Sequence, residues 1–532
     1  MENRPACLSR LLQKFEQLAL AIDQPNRPRM VFAGTALLLL LFMFPTTWTG
    51  NEENYFQLSL RAHSPEKFFP FSAVFDHSKG RIVFEYLLGS LIDLVGYEFA
   101  HGIARIGMVL GYAAGLSVLF SALQLSCLDA LLTLTVFRLC GEQLIGGEWL
   151  FQGVEAKTVA YALIIPALVL AVRFRWLAAT LICVAATYLH FLVGSFWSAI
   201  ILATHWLIAR EHSATLKAGM LYGLLVMPLI YLIGLDQMGQ PAEQGSMPSV
   251  ARIYGEIRDP HHLAPFKSLW TFWEWMPGVV AMICLGLTLG ILIQKKQTPP
   301  LALAPFMGLV YLMGALLISY LDRNNLVLAK LYLFRPSSLT LFLTVAVGVS
   351  LLRQPSSRQA RLPLTLLAGS LVTVVAFQSL QVDTLAFLKG GQLGFEAALI
   401  AKIEESSAPG DIVLLEPYRE MDAPYVRLHR TIPRPTLISW KFVPTNPAEI
   451  LHWYRLIRQR ETLFQKGCSH PMEARVALIV GFKPQSRAQL ADCGPVIWQD
   501  QDVFLIKVAT LDGEERTPLA ETNPGRPAQP GF

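Results

Sequence analysis

Residues 30 to about 388 form a succession of apolar stretches, each close to the length that crosses a bilayer. A hydrocarbon core needs roughly 20 apolar residues in a helix, and backbone placed there must satisfy its own hydrogen bonds. Helices meet both demands. Charged residues make up 16% of the chain, against about 25% in soluble domains, and the mean hydropathy is +0.42. The sequence therefore reads as an α-helical polytopic membrane protein. Its net charge of +5 is modest, and no basic tract is interleaved with aromatics, so a nucleic-acid partner is not expected.

Eleven spans are expected, at 30–48, 99–123, 126–144, 157–173, 176–191, 194–209, 214–234, 270–293, 301–321, 331–351 and 363–386. The segment 1–29, with Arg4, Arg10, Lys14, Arg27 and Arg29, is read as cytoplasmic, and the first span as an uncleaved anchor. Alternation then puts Arg173/Arg175, Arg210/Lys217, Lys295/Lys296 and Arg353/Arg358/Arg361 on the cytoplasmic side, as the positive-inside rule asks. The segment 82–97 is apolar but short and carries Glu85 and Asp93. Counting it as a span would invert every later loop, so it is read as a juxtamembrane or re-entrant helix. The domain 30–388 then has two long outer loops, 50–98 and 236–268, and Trp270, Trp273 and Trp275 stand where an interfacial aromatic belt would.

From about residue 389 the composition turns polar. Helices at 395–407, 447–464 and 485–492 alternate with strands at 412–416, 436–440 and 475–482, and a hairpin at 495–499 and 502–508 follows. That alternation predicts a small α/β domain over 389–510, on the extracytoplasmic side because the span number is odd. The tail 511–532, rich in Pro, Gly, Glu and Thr, is expected to be disordered. Cys468 and Cys493 could pair in an extracytoplasmic domain, or stay free and buried. No GxGxxG, P-loop or GxSxG pattern occurs, which leaves nucleotide binding and serine hydrolase chemistry without support.

The polar residues gather at segment ends that open on one side. Asn51-Glu52-Glu53-Asn54-Tyr55 follows the first span, and Asp76-His77 lies later in the same loop. An acidic pair there can hold a divalent cation such as Mg or Mn, or act as general base on an acceptor hydroxyl; it can equally be a pair of solvated loop acids. Glu148, Glu155 and Lys157 open the fourth span, and His190 sits at a tight hairpin before Gly194. Each could serve as anchor or structural group instead of facing a site. Arg258-Asp259-Pro260-His261-His262, in the second long loop, suits a phosphate or diphosphate through charge-assisted hydrogen bonds. Lys330 and Arg335 enter the tenth span from outside and are costly there unless paired, so an anionic lipid headgroup is an attractive partner.

Together these positions resemble the GT-C class of polytopic glycosyltransferases, with Glu52/Glu53 at the place of that class's acidic pair in the first outer loop. Glu155-Ala156-Lys157, Arg258 to His262, Phe334-Arg335, the run 427–441 and His452-Trp453-Tyr454 resemble a bacterial membrane-protein family related to that class and without an assigned activity. The resemblance implies a bacterial inner-membrane enzyme with a cytoplasmic N-terminus and a periplasmic C-terminal domain. It would transfer a sugar from a polyprenyl-phosphate-linked donor to a glycan, lipid or protein acceptor. In that reading Glu53 and Glu52 are catalytic or metal-binding, while Glu155, Lys157, His190, Arg258, His261, His262, Lys330 and Arg335 bind substrate. The rival is a non-enzymatic protein, a lipid or polysaccharide transporter or a scaffold, whose outer domain binds a partner.

Overall fold

The computed structural model describes residues 24, 27–43, 48–67, 79–209, 212–237, 247–352, 369–375, 393–470 and 472–509 of the chain. Apolar runs fold as helices where sequence places them: α1 (Pro28–Phe42), then α2 (Gly50–His63) and α3 (Ile82–Val95) in the first long loop, then α4 (Tyr97–Ala122) and α5 (Cys127–Leu139). The bundle continues with α6 (Ala156–Val172), α7 (Trp176–Leu189), α8 (Phe191–Ile208), α9 (His212–Gln237), α10 (Leu269–Gln294), α11 (Leu303–Leu321) and α12 (Ser337–Leu352). Ten of the expected spans thus fall on helices. Among the described helices five are long and apolar enough to cross a membrane, namely α4, α8, α9, α10 and α11 with its preceding turn; α1, α6, α7 and α12 are apolar but shorter. The eleventh expected span, 363–386, lies largely outside the described residues, of which 369–375 are helical. Asp76-His77 and the tail lie outside them as well.

The segment 82–97 gives α3, which packs along α2, and its Glu85 is buried against Arg81. Trp270 and Trp273 are exposed, as a belt requires, but Trp275 is buried edge-on against Phe334. Helix starts follow local chemistry. Thr49 and Glu52 close a capping box on α2, and Ser126 and Asp129 close one on α5. Beneath the loop 140–155, Phe120, Phe137, Phe151 and Phe342 interlock, mostly edge to face. Each such pair is worth about 0.5–1.5 kcal/mol beyond area burial, and Phe151 thereby pins that loop to α4, α5 and α12.

Beyond residue 393 the chain forms α13 (Glu396–Ser406), β1 (Ile412–Leu415), α14 (Ala423–Thr431), α15 (Pro447–Lys466), β2 (Val476–Gly481), α16 (Pro484–Gln489), β3 (Val496–Asp500) and β4 (Val503–Lys507). The sheet order is β1-β2-β4-β3, with β1 parallel to β2 and the other pairs antiparallel. Ile412, Val413, Leu414 and Leu415 are all buried, as a strand covered on both faces demands. One cover is built on α15, through Trp453, Leu456 and Ile457, and the other on α13, through Leu399 and Ile403. Cys468 and Cys493 form a disulfide closing a 25-residue separation, worth roughly 3 kcal/mol in the chain-entropy model.

Two expectations fail here. Helix α14 was not foreseen in the sequence. The predicted strand 436–440 makes one bridge, Thr436 beside Val413, and then leaves the sheet. Side chains take over its backbone groups. Trp453 donates to the Ser439 carbonyl at 3.0 Å, Arg460 to the Ile438 carbonyl at 3.2 Å, and Trp440 N–H donates to Glu420 at 3.1 Å. Pairing these groups locally frees the chain from the ladder and carries Lys441 toward the bundle.

Candidate functional site

A cavity of about 470 Å³ opens where α6 begins, α7 turns into α8 and α9 ends, roofed by segments around Tyr254–His262, Lys330–Arg335 and Lys441–Thr445. The structure brings Glu155, Lys157, His190, Arg258, His261, His262, Lys330 and Arg335 together in its lining. It does not bring Glu52 and Glu53 there.

Glu52 is saturated instead. Its Oε1 accepts from Arg105 Nε at 2.7 Å and from the Val154 N–H at 2.8 Å, with His101 at 3.4 Å. Its Oε2 accepts from the Thr49 N–H at 2.9 Å and also from Arg105. Burial pushes its carboxyl up, but Arg105 and His101 outweigh that and hold it at about 2. Glu53 points the other way, taking Arg430 Nε at 2.9 Å and Nη2 at 3.1 Å; burial raises its carboxyl in spite of that arginine. Glu52, filled with donors, has no lone pair left for a proton or a metal. The two acids engage different arginines, and among the described residues no cluster of three metal-ligating side chains occurs. Pointing apart, Glu52 and Glu53 do not converge on one divalent cation, and the general-base role does not suit the donor-filled Glu52.

Glu52 acts at one remove. A Cβ on Gly153 would meet its carboxyl carbon at 2.8 Å, so only glycine lets the chain run against it while Val154 N–H donates. That fixes the backbone entering α6, whose cap is Glu155 with Thr158. Glu155 faces the cavity. Its Oε1 accepts from Asn51 Nδ2 at 3.0 Å and Trp149 Nε1 at 3.1 Å, while Oε2 has Lys157 at 3.7 Å. The first turn of α2 thus sends Asn51 to the cavity, Glu52 to α4 and the 153–154 backbone, and Glu53 to α14.

Glu148 lies beneath the cations. Its Oε2 accepts from Arg335 at 2.8 Å and Lys157 at 3.2 Å, and against the upward push of burial these hold it at about 2. The Lys157 ammonium also sits 3.3 Å from the centre of the Trp149 ring, a cation–π contact. Gly147, at φ +63°, turns the chain where a side chain would strike the His262 ring at 2.9 Å. His262 Nδ1 donates to the Gly146 carbonyl at 2.6 Å. Burial drives this imidazole down to about 4, so at neutral pH it is uncharged. Arg258 pairs with Asp259 at 2.7 Å, and Tyr332 donates to the same carboxylate at 2.6 Å. The Nε groups of Arg258 and Arg335 are buried with no hydrogen-bond partner among the described residues. His190 has a structural duty too, its Nδ1 accepting from Val193 N–H at 3.2 Å to cap α8.

Seven lysines and arginines line the cavity, against the carboxylates of Glu155, Asp236 and Asp259. Arg81, Lys79, Asn51, Trp149, Tyr332 and Lys441 belong to it without having been singled out as binding residues. The Gly146-Gly147 pair before Glu148 was the legible sign that this loop is built for close approach. Lys441 ends the run 427–441 that carries the family resemblance, but nothing local placed it at this cavity, since its partner Asn51 is 390 residues away.

No family model and no curated protein matches the sequence. Among solved structures, the crystal structure of ArnT from Cupriavidus metallidurans bound to undecaprenyl phosphate matches with a TM-score of 0.50 at 13% identity, covering 91% of this chain and 98% of that one. ArnT from the same organism in the apo state gives 0.47 at 12% identity, covering 89% and 97%. At such identities the likeness concerns the fold alone, and it extends over nearly the whole of both chains. The chain is a multi-pass membrane protein with an ArnT-like fold, in keeping with its resemblance to the GT-C class.

Proposed function

We propose that the protein is a glycosyltransferase-like membrane enzyme that takes a sugar from a polyprenyl-phosphate-linked donor and passes it to an acceptor outside the cytoplasm. The observation that carries the reading is the cationic cavity, with Glu155 among the carboxylates that line it. Arg258, Lys330 and Arg335, which line the cavity, neutralise the donor phosphate as it leaves through charge-assisted hydrogen bonds. Glu155 Oε2 replaces Glu53 as the general base on the acceptor hydroxyl. Lys157 and Glu148 hold the cation array in place, His190 fixes the turn at the cavity floor, and His261 and neutral His262 offer hydrogen bonds to sugar hydroxyls.

A polyprenyl phosphate is the first lipid to test, because ArnT, of similar fold, was crystallised with undecaprenyl phosphate. The eleven-span topology with an extracytoplasmic C-terminal domain is part of the proposal, supported by the Cys468–Cys493 disulfide, a bond typical of oxidising compartments. The same cations would also suit a lipid-phosphate transporter; transfer of label separates the two. Full-length protein in nanodiscs, given undecaprenyl-phosphate sugars labelled in the sugar and an envelope lipid or glycan fraction, is expected to move label to acceptor. Glu155→Gln is expected to abolish it. Unchanged transfer in that variant would sink the assignment of Glu155, and no transfer by any labelled donor would leave the transporter reading.

A further inference from the structure

Lys441 is a buried cation in an unusual position. It is 8% exposed, it lines the cavity, and its ammonium donates to the Asn51 side-chain carbonyl. Among the described residues no carboxylate lies within ion-pair distance of it, whereas Lys157 pairs with Glu148 and Glu155, Arg258 with Asp259, and Arg335 with Glu148. Burial, with the neighbouring charges of Arg258 and Lys157, lowers it to about 8 against the opposing pull of Glu155 and Asp259. A buried ammonium held by one amide oxygen is poorly compensated. The backbone ahead of it has left the sheet, and α14 and Met421 bring the same region down onto α2, with Gln57 donating to the Val426 carbonyl at 3.1 Å.

We propose that the C-terminal α/β region completes the substrate site, with Lys441 contacting the phosphate of the lipid-linked substrate beside Arg258 and Glu155. The proposal rests on the donor class assigned above. An incoming phosphate supplies the counter-charge the fold withholds, and ligand binding then ties the soluble region to the bundle. A phosphate monoester or diester on a lipid and a free phosphate share this chemistry, so both are tested.

The experiment uses the full-length protein in nanodiscs of zwitterionic lipid, titrated separately with undecaprenyl phosphate and with inorganic phosphate. Lys441→Met is expected to weaken lipid-phosphate binding by about ten- to a hundredfold, the range of one hydrogen bond to a charged group. Lys441→Arg is expected to restore most of it. A purely structural lysine would show the opposite signature, so ligand-free melting and proteolysis are measured alongside. Lys441→Met is expected to melt at or above the wild-type temperature, because an apolar side chain removes a buried, unpaired charge, and to lose the ligand-induced rise. Wild-type affinity in Lys441→Met, or lower stability with unchanged affinity, overturns the proposal and leaves the donor assignment standing. Binding of inorganic phosphate alone overturns the lipid source, and binding of neither probe by the unaltered protein overturns both readings.

Discussion

The first turn of α2 and the loop before α6 look alike in sequence. Each offers acids next to a helix start, Glu52/Glu53 in one and Glu148/Glu155 in the other. Folding gives them different partners. Glu52 and Glu53 are met by arginines from α4 and α14 and become internal struts. Glu148 is covered by Lys157 and Arg335, and Glu155 alone keeps an oxygen toward the cavity. The lesson is that a carboxylate's chemistry is set by what arrives from elsewhere in the chain. An arginine 53 or 377 residues away decides whether an acid can accept a proton.

The comparison breaks most sharply at Glu155. Replacing it with Gln keeps shape and the Asn51 contact, and is expected to lower transfer by about 10²–10⁴, the range for a positioned general base, with melting little changed. Glu53→Gln is expected to spare chemistry in the assembled protein and to loosen α14, seen as faster proteolysis of the C-terminal region. If Glu53→Gln abolished turnover while Glu155→Gln did not, the assignment made here would be reversed.

Next in size is Glu52→Ala. Removing one partner of a buried pair leaves Arg105 uncompensated, a loss of about 3–5 kcal/mol, read as a large fall in melting temperature in detergent. Acid should reproduce part of it. The folded Glu52 carboxyl stands at about 2 against an ordinary 4.5, so its contribution is complete above 4.5 and disappears as pH falls toward 2. At 1.36 kcal/mol per unit that amounts to about 3 kcal/mol. His262 pulls in the same direction between 6.5 and about 4, because the unfolded chain takes up a proton that the folded imidazole refuses. A melting temperature indifferent to pH between 6.5 and 3 would refute both placements, and a Glu52→Gln protein should lose the lower part of the slope.

How far the sequence could see follows from the same physics. Apolar length is a local property, so the ten described helices at expected span positions, the α3 detour and the cavity's cations at helix ends were legible from residues such as Lys330 and Arg335 flanking an apolar stretch. Strand Val476–Gly481 and the β3–β4 hairpin were legible from apolar runs bounded by turns. Partners are not local. Nothing near Glu52 announces Arg105, and nothing near 436–440 announces that Trp453 and Arg460 will take its carbonyls. Helix α14 was hidden because its apolar face is short, Val426 and Leu428 with His429, and because it is stabilised by docking on α2 more than by its own pattern.

The smallest expected effect joins the two regions. Truncating the chain after about residue 389 cannot separate an enzyme from a scaffold, since Met421, Lys441, Val443 and Thr445 are cavity wall; a proton count at Lys441 can. In the ligand-free protein this ammonium loses its proton near 8 instead of near 10.5, so stability should rise with pH across that window, where the unfolded chain binds the extra proton. A bound phosphate, added to the neighbouring Arg258, Glu155, Asp259, Lys157 and Asn51, restores the charged form. At pH 9 the phosphate itself has no titration left, its second pKa being about 6. Calorimetry in two buffers of different ionisation enthalpy should then register uptake of a fraction of one proton on binding undecaprenyl phosphate. Uptake should vanish near pH 7 and in Lys441→Met. Uptake that persists in Lys441→Met would move the effect to Lys330, the other cavity lysine that burial shifts downward, and would confine substrate contact to the membrane bundle.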